Sequence, residues 1–129
     1  MNENNKIKAE EWFEKAKHDL ATVEMIINTS GYADTAAVLL QQGTEKYLKG
    51  FLISRGWKLV KTHNLKQLLD EAVKYDNQFE KFYDLMIRLS GYYVEEKYPA
   101  GMKSEVMLEE IKDNYEKVKE LIKDKLEIK

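Results

Sequence analysis

Cysteine is absent from the 129 residues. That excludes disulfides and thiolate metal sites, is compatible with a reducing compartment, and leads us to expect a cytoplasmic location. Proline occurs once, at Pro99, and glycine six times, so little interrupts a helix. No apolar run approaches the ~20 residues that span a bilayer; the longest aliphatic one is Ala36 to Leu40, and no membrane association is expected. The opening segment, MNENNKIKAEEW, has no apolar stretch ahead of a small-residue cleavage site, so no secretory signal is expected. Arginine is scarce: Arg55 and Arg88 are the only two among the cations. Base and phosphate recognition favours the planar guanidinium fork, so this scarcity argues mildly against a dedicated RNA-binding surface. Net charge is −2, too small for a global field that drives the chain onto DNA or anionic lipid. The two histidines, His18 and His63, lie far apart, without a His-x-x-x-His or Glu-x-x-His pair. No metal site is expected. The phosphate-cradling GxxxxGK[ST], GxGxxG and GxSxG motifs are also missing, so no cofactor is expected.

What is present is a helical rhythm. At 43% hydrophobic and 34% charged the composition is that of a globular protein, and the length suits one domain, residues 1–129, with one core. A first helix is expected from about Ile7 to Asn28, with Ala9, Trp12, Phe13, Ala16, Leu20, Val23 and Ile27 on one stripe. Ser30-Gly31 ends it. A second, from about Tyr32 to Arg55, has a wide apolar face with small residues near its middle, which suits a central helix, and Gly56 suits its C-terminal cap. Asn64, with Gln67 three residues on, reads as a capping-box start for a short third helix. A fourth is expected from about Gln78 to Ser90. Gly91 to Lys103 reads as irregular, and Ser104 as the cap of a last helix with Met107, Leu108, Ile111, Tyr115, Val118, Leu121 and Ile122 inward. The expected fold is all-α, an antiparallel bundle of about five helices.

Three features can carry chemistry. Between Glu45 and Asp70 there is no acidic residue, while Lys46, Lys49, Arg55, Lys58, Lys61 and Lys66 all fall there. Such a block makes a local positive field, although cations near the end of the second helix also complement its dipole. Lys61-Thr62-His63-Asn64 places a cation, a hydroxyl and an imidazole at a helix start, where unpaired N–H groups favour an anion; an ordinary capped start explains the same residues. Tyr92-Tyr93-Val94-Glu95-Glu96-Lys97-Tyr98-Pro99 places aromatic rings beside a lysine, with Pro99 pushing Tyr98 toward extended backbone. Those rings suit a base and its phosphates, or equally act as half-buried staples over the bundle. Glu45-Lys46 reads as an ion pair, Gln41-Gln42 as a source of cross-helix hydrogen bonds, and His18 as solvent-exposed.

Taken in order, Trp12, Ala16 and Asp19-Leu20, then Gln41-Gln42, Glu45-Lys46 and Lys49, then Lys61-Thr62-His63 with Leu65 and Leu68-Leu69, then Tyr93 and Lys97-Tyr98-Pro99, resemble a HEPN domain, the higher-eukaryote and prokaryote nucleotide-binding family, from about Ala9 to Leu121. The resemblance implies a bundle of four to five helices, commonly a homodimer. It also implies, for small prokaryotic members, a minimal nucleotidyltransferase partner in a toxin–antitoxin-like pair. Some members are metal-independent ribonucleases that use Arg-x(4–6)-His. Here no histidine follows Arg88, and Arg55 and His63 are too far apart for that motif, so no catalytic residue is assigned and no RNA cleavage is expected. The leading expectation is a nucleotide- or phosphate-binding partner domain. Its site is Lys61, Thr62 and His63 facing Tyr93, Lys97 and Tyr98 across one groove, supported by Glu45, Lys46 and Lys49. Nucleotide and RNA are both open as ligands. The alternatives are a ribonuclease toxin and a purely structural homodimerising domain.

Overall fold

The computed structural model describes residues 3–58, 61–95 and 107–126; the side chains of 93–95 lie outside that set. Five α-helices follow one another: α1 (Glu3–Asn28), α2 (Ala33–Ser54), α3 (Leu65–Val73), α4 (Tyr83–Glu95) and α5 (Leu108–Leu121). A 3₁₀ segment, Asn77–Phe82, leads into α4, and a π-helical turn, Ile122–Leu126, follows α5. No strand occurs among the described residues. The all-α bundle expected from the periodicity is therefore present.

α1 buries Ala9, Phe13, Ala16, Leu20 and Val23, spaced three or four residues apart, so one stripe faces the core. That stripe lies on α2, in the most extensive helix pairing of the bundle. Close approach is possible because Gly43 and Gly50 of α2 sit under Leu20 and Phe13. α2 also packs on α3, α4 and α5, which makes it the central helix and explains why it is buried nearly all round from Ala36 to Ser54.

Both long helices end in the same backbone motif. Gly56 takes φ +93°, and the N–H groups of Gly56 and Trp57 donate to Ile53 and Leu52 carbonyls, each at 3.0 Å. At the end of α1 the left-handed residue is Ser30, φ 54°, and not the adjacent glycine; Gly31 N–H closes back on Ile26 at 2.9 Å.

Three local expectations are corrected. Gly91 to Glu95 is helical and not irregular, because α4 continues through Glu95 and buries Tyr92. Burial of that ring outweighs the ~1 kcal/mol helix penalty of Gly91. The last helix begins at Leu108 with Met107 at its N-cap; Met107 is exposed and does not face the core, and Ser104 lies outside the described residues. In the start of α3, Asn64 accepts from Gln67 N–H as expected, but the Gln67 side chain takes the Thr62 hydroxyl and not the Asn64 backbone.

Tyr115 of α5 and Tyr83 of α4 couple the fold to alkaline pH. Burial, aided by Glu24 and Glu116, pushes the Tyr115 phenol up to about 12. The hydrogen bond that Tyr83 donates to Asp70, 2.5 Å long, does the same for Tyr83, also to about 12. Both values lie above the ordinary 10.0, so their stabilisation is complete below about pH 10 and is lost as pH rises from there through about 12. The denaturation midpoint should fall across that window while phenolate absorbance rises, and Tyr115→Phe should reduce the fall. A midpoint flat to pH 12 would contradict the assignment.

Candidate functional site

α2 carries a polar cluster in an otherwise apolar setting. Glu45 is 6% exposed and Lys49 5% exposed, one helical turn apart, with Lys49 Nζ 2.8 Å from Glu45 Oε2. Gln41, fully buried one turn earlier, donates from Nε2 to Glu45 Oε1 at 3.3 Å. Across the α2–α3 junction His63 brings Nδ1 to 3.0 and 3.1 Å from the two carboxylate oxygens. Lys49 also lies over the Trp12 ring, 5.4 Å from its centroid, so α1 closes the cluster from the other side.

The donor count determines the chemistry. A carboxylate only accepts, so the proton shared with His63 sits on Nδ1, and a neutral ring then carries its lone pair on Nε2. Lys49 and Gln41 supply the other donors. Burying the ion pair costs several kcal/mol per charge, offset only because both partners are hydrogen-bonded at short range. Gln41 Oε1 is buried with no hydrogen-bond partner among the described residues. Its amide is oriented by Glu45, which requires the nitrogen on that side.

His63 is 63% exposed at its side chain. It does not pack into the bundle; it stands at the surface on a buried base. Lys61 is exposed and Thr62 partly so, in the extended lead into α3. Thr62 is committed locally: its hydroxyl donates to Gln67 Oε1 at 3.1 Å and accepts from Asn64 N–H at 3.1 Å. Lys61 and His63 thus carry the exposed chemistry, and Thr62 shapes the turn that presents them. Tyr93 belongs to α4, but its side chain, like Lys97 and Tyr98 entirely, lies outside the described residues, so the far wall of the expected groove does too.

The supporting residues are rearranged relative to expectation. Glu45 does not pair with Lys46, because neighbours in a helix point about 100° apart; Glu45 takes Lys49, and Lys46 reaches Asp19 of α1 at 2.7 Å. Gln41 bonds within α2 and not across helices. The acid-free stretch is less positive in three dimensions than along the chain, since Lys46, Lys49 and Lys66 pair with Asp19, Glu45 and Asp70. His18 is 77% exposed, as its place on the polar face of α1 implies. No group of three metal-ligating side chains occurs among the described residues, and no helix among them is long and apolar enough to cross a membrane.

A second polar network escaped the sequence reading. Arg88 Nε donates to Asn114 Oδ1 (3.2 Å), Asn114 Nδ2 to the Tyr92 hydroxyl (2.8 Å), and Tyr92 to Glu110 Oε2 (2.5 Å). The bonds run in one direction from α4 to α5 and back, beside a cavity of about 420 Å³ that Asp113 and Lys117 also line. Burial first, then the bond to Glu110, raises the Tyr92 phenol well above its ordinary value. Its signal in the sequence was a polar pair at i, i+4 on each of two helices, Arg88 with Tyr92 and Glu110 with Asn114, visible only once α4 is known to continue past Gly91.

No curated protein and no solved structure matches the chain significantly. The family model described as HEPN domain matches residues 9–128, which takes in both polar networks and all the helices described above except the first turn and a half of α1. The chain belongs to the HEPN domain family, and its function is accordingly nucleotide- or RNA-related.

Proposed function

We propose that the chain is a nucleotide- or phosphate-binding partner domain, acting as a homodimer with a minimal nucleotidyltransferase in a toxin–antitoxin-like pair. One observation carries the binding reading: a buried ion pair, Glu45 with Lys49, holds the exposed imidazole of His63 by its Nδ1, two residues along the chain from the exposed Lys61. A capped helix start needs neither a buried carboxylate nor an anchored ring. An immobilised ring suits a phosphate when Nε2 also carries a proton, since both nitrogens of an imidazolium donate and phosphate oxygens accept, and the ordering cost of the ring is met before the ligand arrives. The family suggests the partner class: small prokaryotic HEPN members are often encoded beside a minimal nucleotidyltransferase. A cleaving role is not proposed, since the Arg–His pair of the ribonuclease members is missing from the sequence.

Calorimetric titration of adenine nucleotides and a short oligonucleotide tests the reading. Lys61→Ala and Lys97→Ala should each weaken binding by roughly 1–2 kcal/mol, the scale of a charge-assisted hydrogen bond, with little change in melting temperature. Binding should also weaken as salt rises, since exposed lysines are screened over ~8 Å at physiological ionic strength. Affinity unchanged in both variants would refute the site. A neighbouring reading frame that encodes no minimal nucleotidyltransferase, or one whose product does not co-elute with the chain, would refute the pairing alone.

A further inference from the structure

The C-terminal turn of α2, the turn after α3 and the π-helical turn after α5 border an open, largely polar cleft of about 610 Å³, within the ~300–1,000 Å³ range of small-molecule sites. It is distinct from the His63 cluster, and nothing above uses it. Its floor is aromatic: Phe51 and Phe79 are buried, with ring centroids 5.1 Å apart. Tyr75 stands edge-on to Phe51 at 6.3 Å and is 48% exposed, so its ring is accessible at the wall.

The rim carries four charges, Arg55, Asp76, Asp124 and Lys125. Lys125 and Asp76 neutralise each other at 2.8 Å, and the same hydrogen bond holds the Asp76 carboxyl below its ordinary range. Among the described residues the ion-pair partner of Asp124 is the exposed Lys81, at 3.8 Å, a contact of little worth in water. Arg55 has no carboxylate within ion-pair distance among the described residues; its guanidinium sits over Phe51, 5.2 Å from the ring centroid. The wall therefore offers one guanidinium and one carboxylate beside an accessible tyrosine ring. Asp124 and Lys125 come from the π-helical turn, a rare conformation that is frequent at functional sites.

The complementary ligand is flat, with two acceptors on one edge and N–H donors on another. Guanine meets that description: O6 and N7 accept a bidentate arginine, and N1–H with the N2 amine donates to a carboxylate. Adenine places an amine where O6 would be and lacks the N2 donors. We propose that this cleft binds a guanine base, stacked on Tyr75, read by Arg55 and Asp124, and carried by a free nucleotide or by single-stranded RNA. Base stacking on an accessible aromatic ring is how single-stranded nucleic acid is commonly held.

The test uses the full chain and calorimetry with GMP, AMP, inosine monophosphate, a GMP analogue lacking N7, and two short RNAs differing by one G-to-A change. Preference for guanine over adenine should be about tenfold or more, the scale of one bidentate contact. Loss of the N2 amine or of N7 should each reduce it. Arg55→Met, which keeps an apolar stem over Phe51, and Asp124→Asn should abolish the preference, with melting curves recorded for both. Lys112→Ala, at an exposed position of α5 outside both sites, should leave the preference intact. Selective binding of GMP identifies a free nucleotide as sufficient; selectivity seen only between the two RNAs identifies the strand as the source. Equal binding of guanine and adenine ligands in both forms, no binding of any of them, or a preference that survives both variants overturns the proposal. If a variant melts early, the two base analogues on the wild-type chain decide the matter alone.

Discussion

Glu45→Ala is expected to cost about 3–5 kcal/mol of folding stability, as much as truncating a buried core side chain. The reason is what the change leaves behind. Lys49, 5% exposed, loses its carboxylate and stays a buried ammonium against Trp12, while Gln41 and the His63 Nδ1–H lose their acceptor. An exposed pair of the same type gives the contrast: Lys66–Asp70, with side chains 62% and 41% exposed, should be worth roughly 0–1 kcal/mol. Replacing both buried charges, Glu45→Leu with Lys49→Met, should regain most of the loss, because the desolvation penalty of each ion then disappears with it. Urea denaturation of the two single variants and the double variant measures the cycle. A Glu45→Ala loss below about 1 kcal/mol would mean that the pair behaves as a surface contact, and the preorganised His63 would lose its physical basis.

Gly50→Ala should also destabilise, by a net of about 1–2 kcal/mol, although alanine is the better helix former by ~1 kcal/mol. A Cβ built there lies 2.7 and 2.9 Å from Phe13 ring carbons and 3.2 Å from the Ala9 carbonyl. The ring cannot readily swing away, since Phe13 packs on Tyr47 with centroids 5.4 Å apart, and the Ala9 carbonyl is backbone. Overpacking therefore falls toward the upper part of its usual ~1–3 kcal/mol and exceeds the propensity gain. Gly91→Ala is the internal control. Nothing lies within 4 Å of a Cβ at that position, so the propensity gain of ~0.5–1 kcal/mol should appear as added stability. Adding Phe13→Leu to Gly50→Ala should cost less than the sum of the two, as the smaller side chain relieves part of the clash. Equal signs for the two glycine variants would show that α1 and α2 are not packed as closely as described.

Much of this was readable before any coordinates. The α1 stripe, the central place of α2, the Gly56 cap and Asn64 as the start of α3 follow from spacing and turn chemistry, because those signals depend on neighbours three or four residues away. Lys61 and His63 were identified as candidates by residue type and position. What could not be read was which polar side chains meet. Glu45-Lys46 looked like a pair because they are adjacent, yet helix geometry turns them to different elements, Lys46 to Asp19 and Glu45 to Lys49 and His63. Tyr92 falls in a stretch, Gly91 to Lys103, that reads as irregular because it holds the only proline and a glycine, and its bonds to Glu110 and Asn114 place it in α4 instead.

The sequence by itself determined the helices, their apolar faces and the family, since each rests on local periodicity or on motif order along the chain. Tertiary structure decided everything that depends on distance between segments. It buried Glu45, and so turned a helical carboxylate into the anchor of a surface imidazole. It paired away much of a basic block that looked open in one dimension, and it brought Arg55 and Asp124, nearly seventy positions apart, to one cleft. The physical reason is common to all three: burial sets the worth of a charge, and burial is a property of packing, not of sequence order.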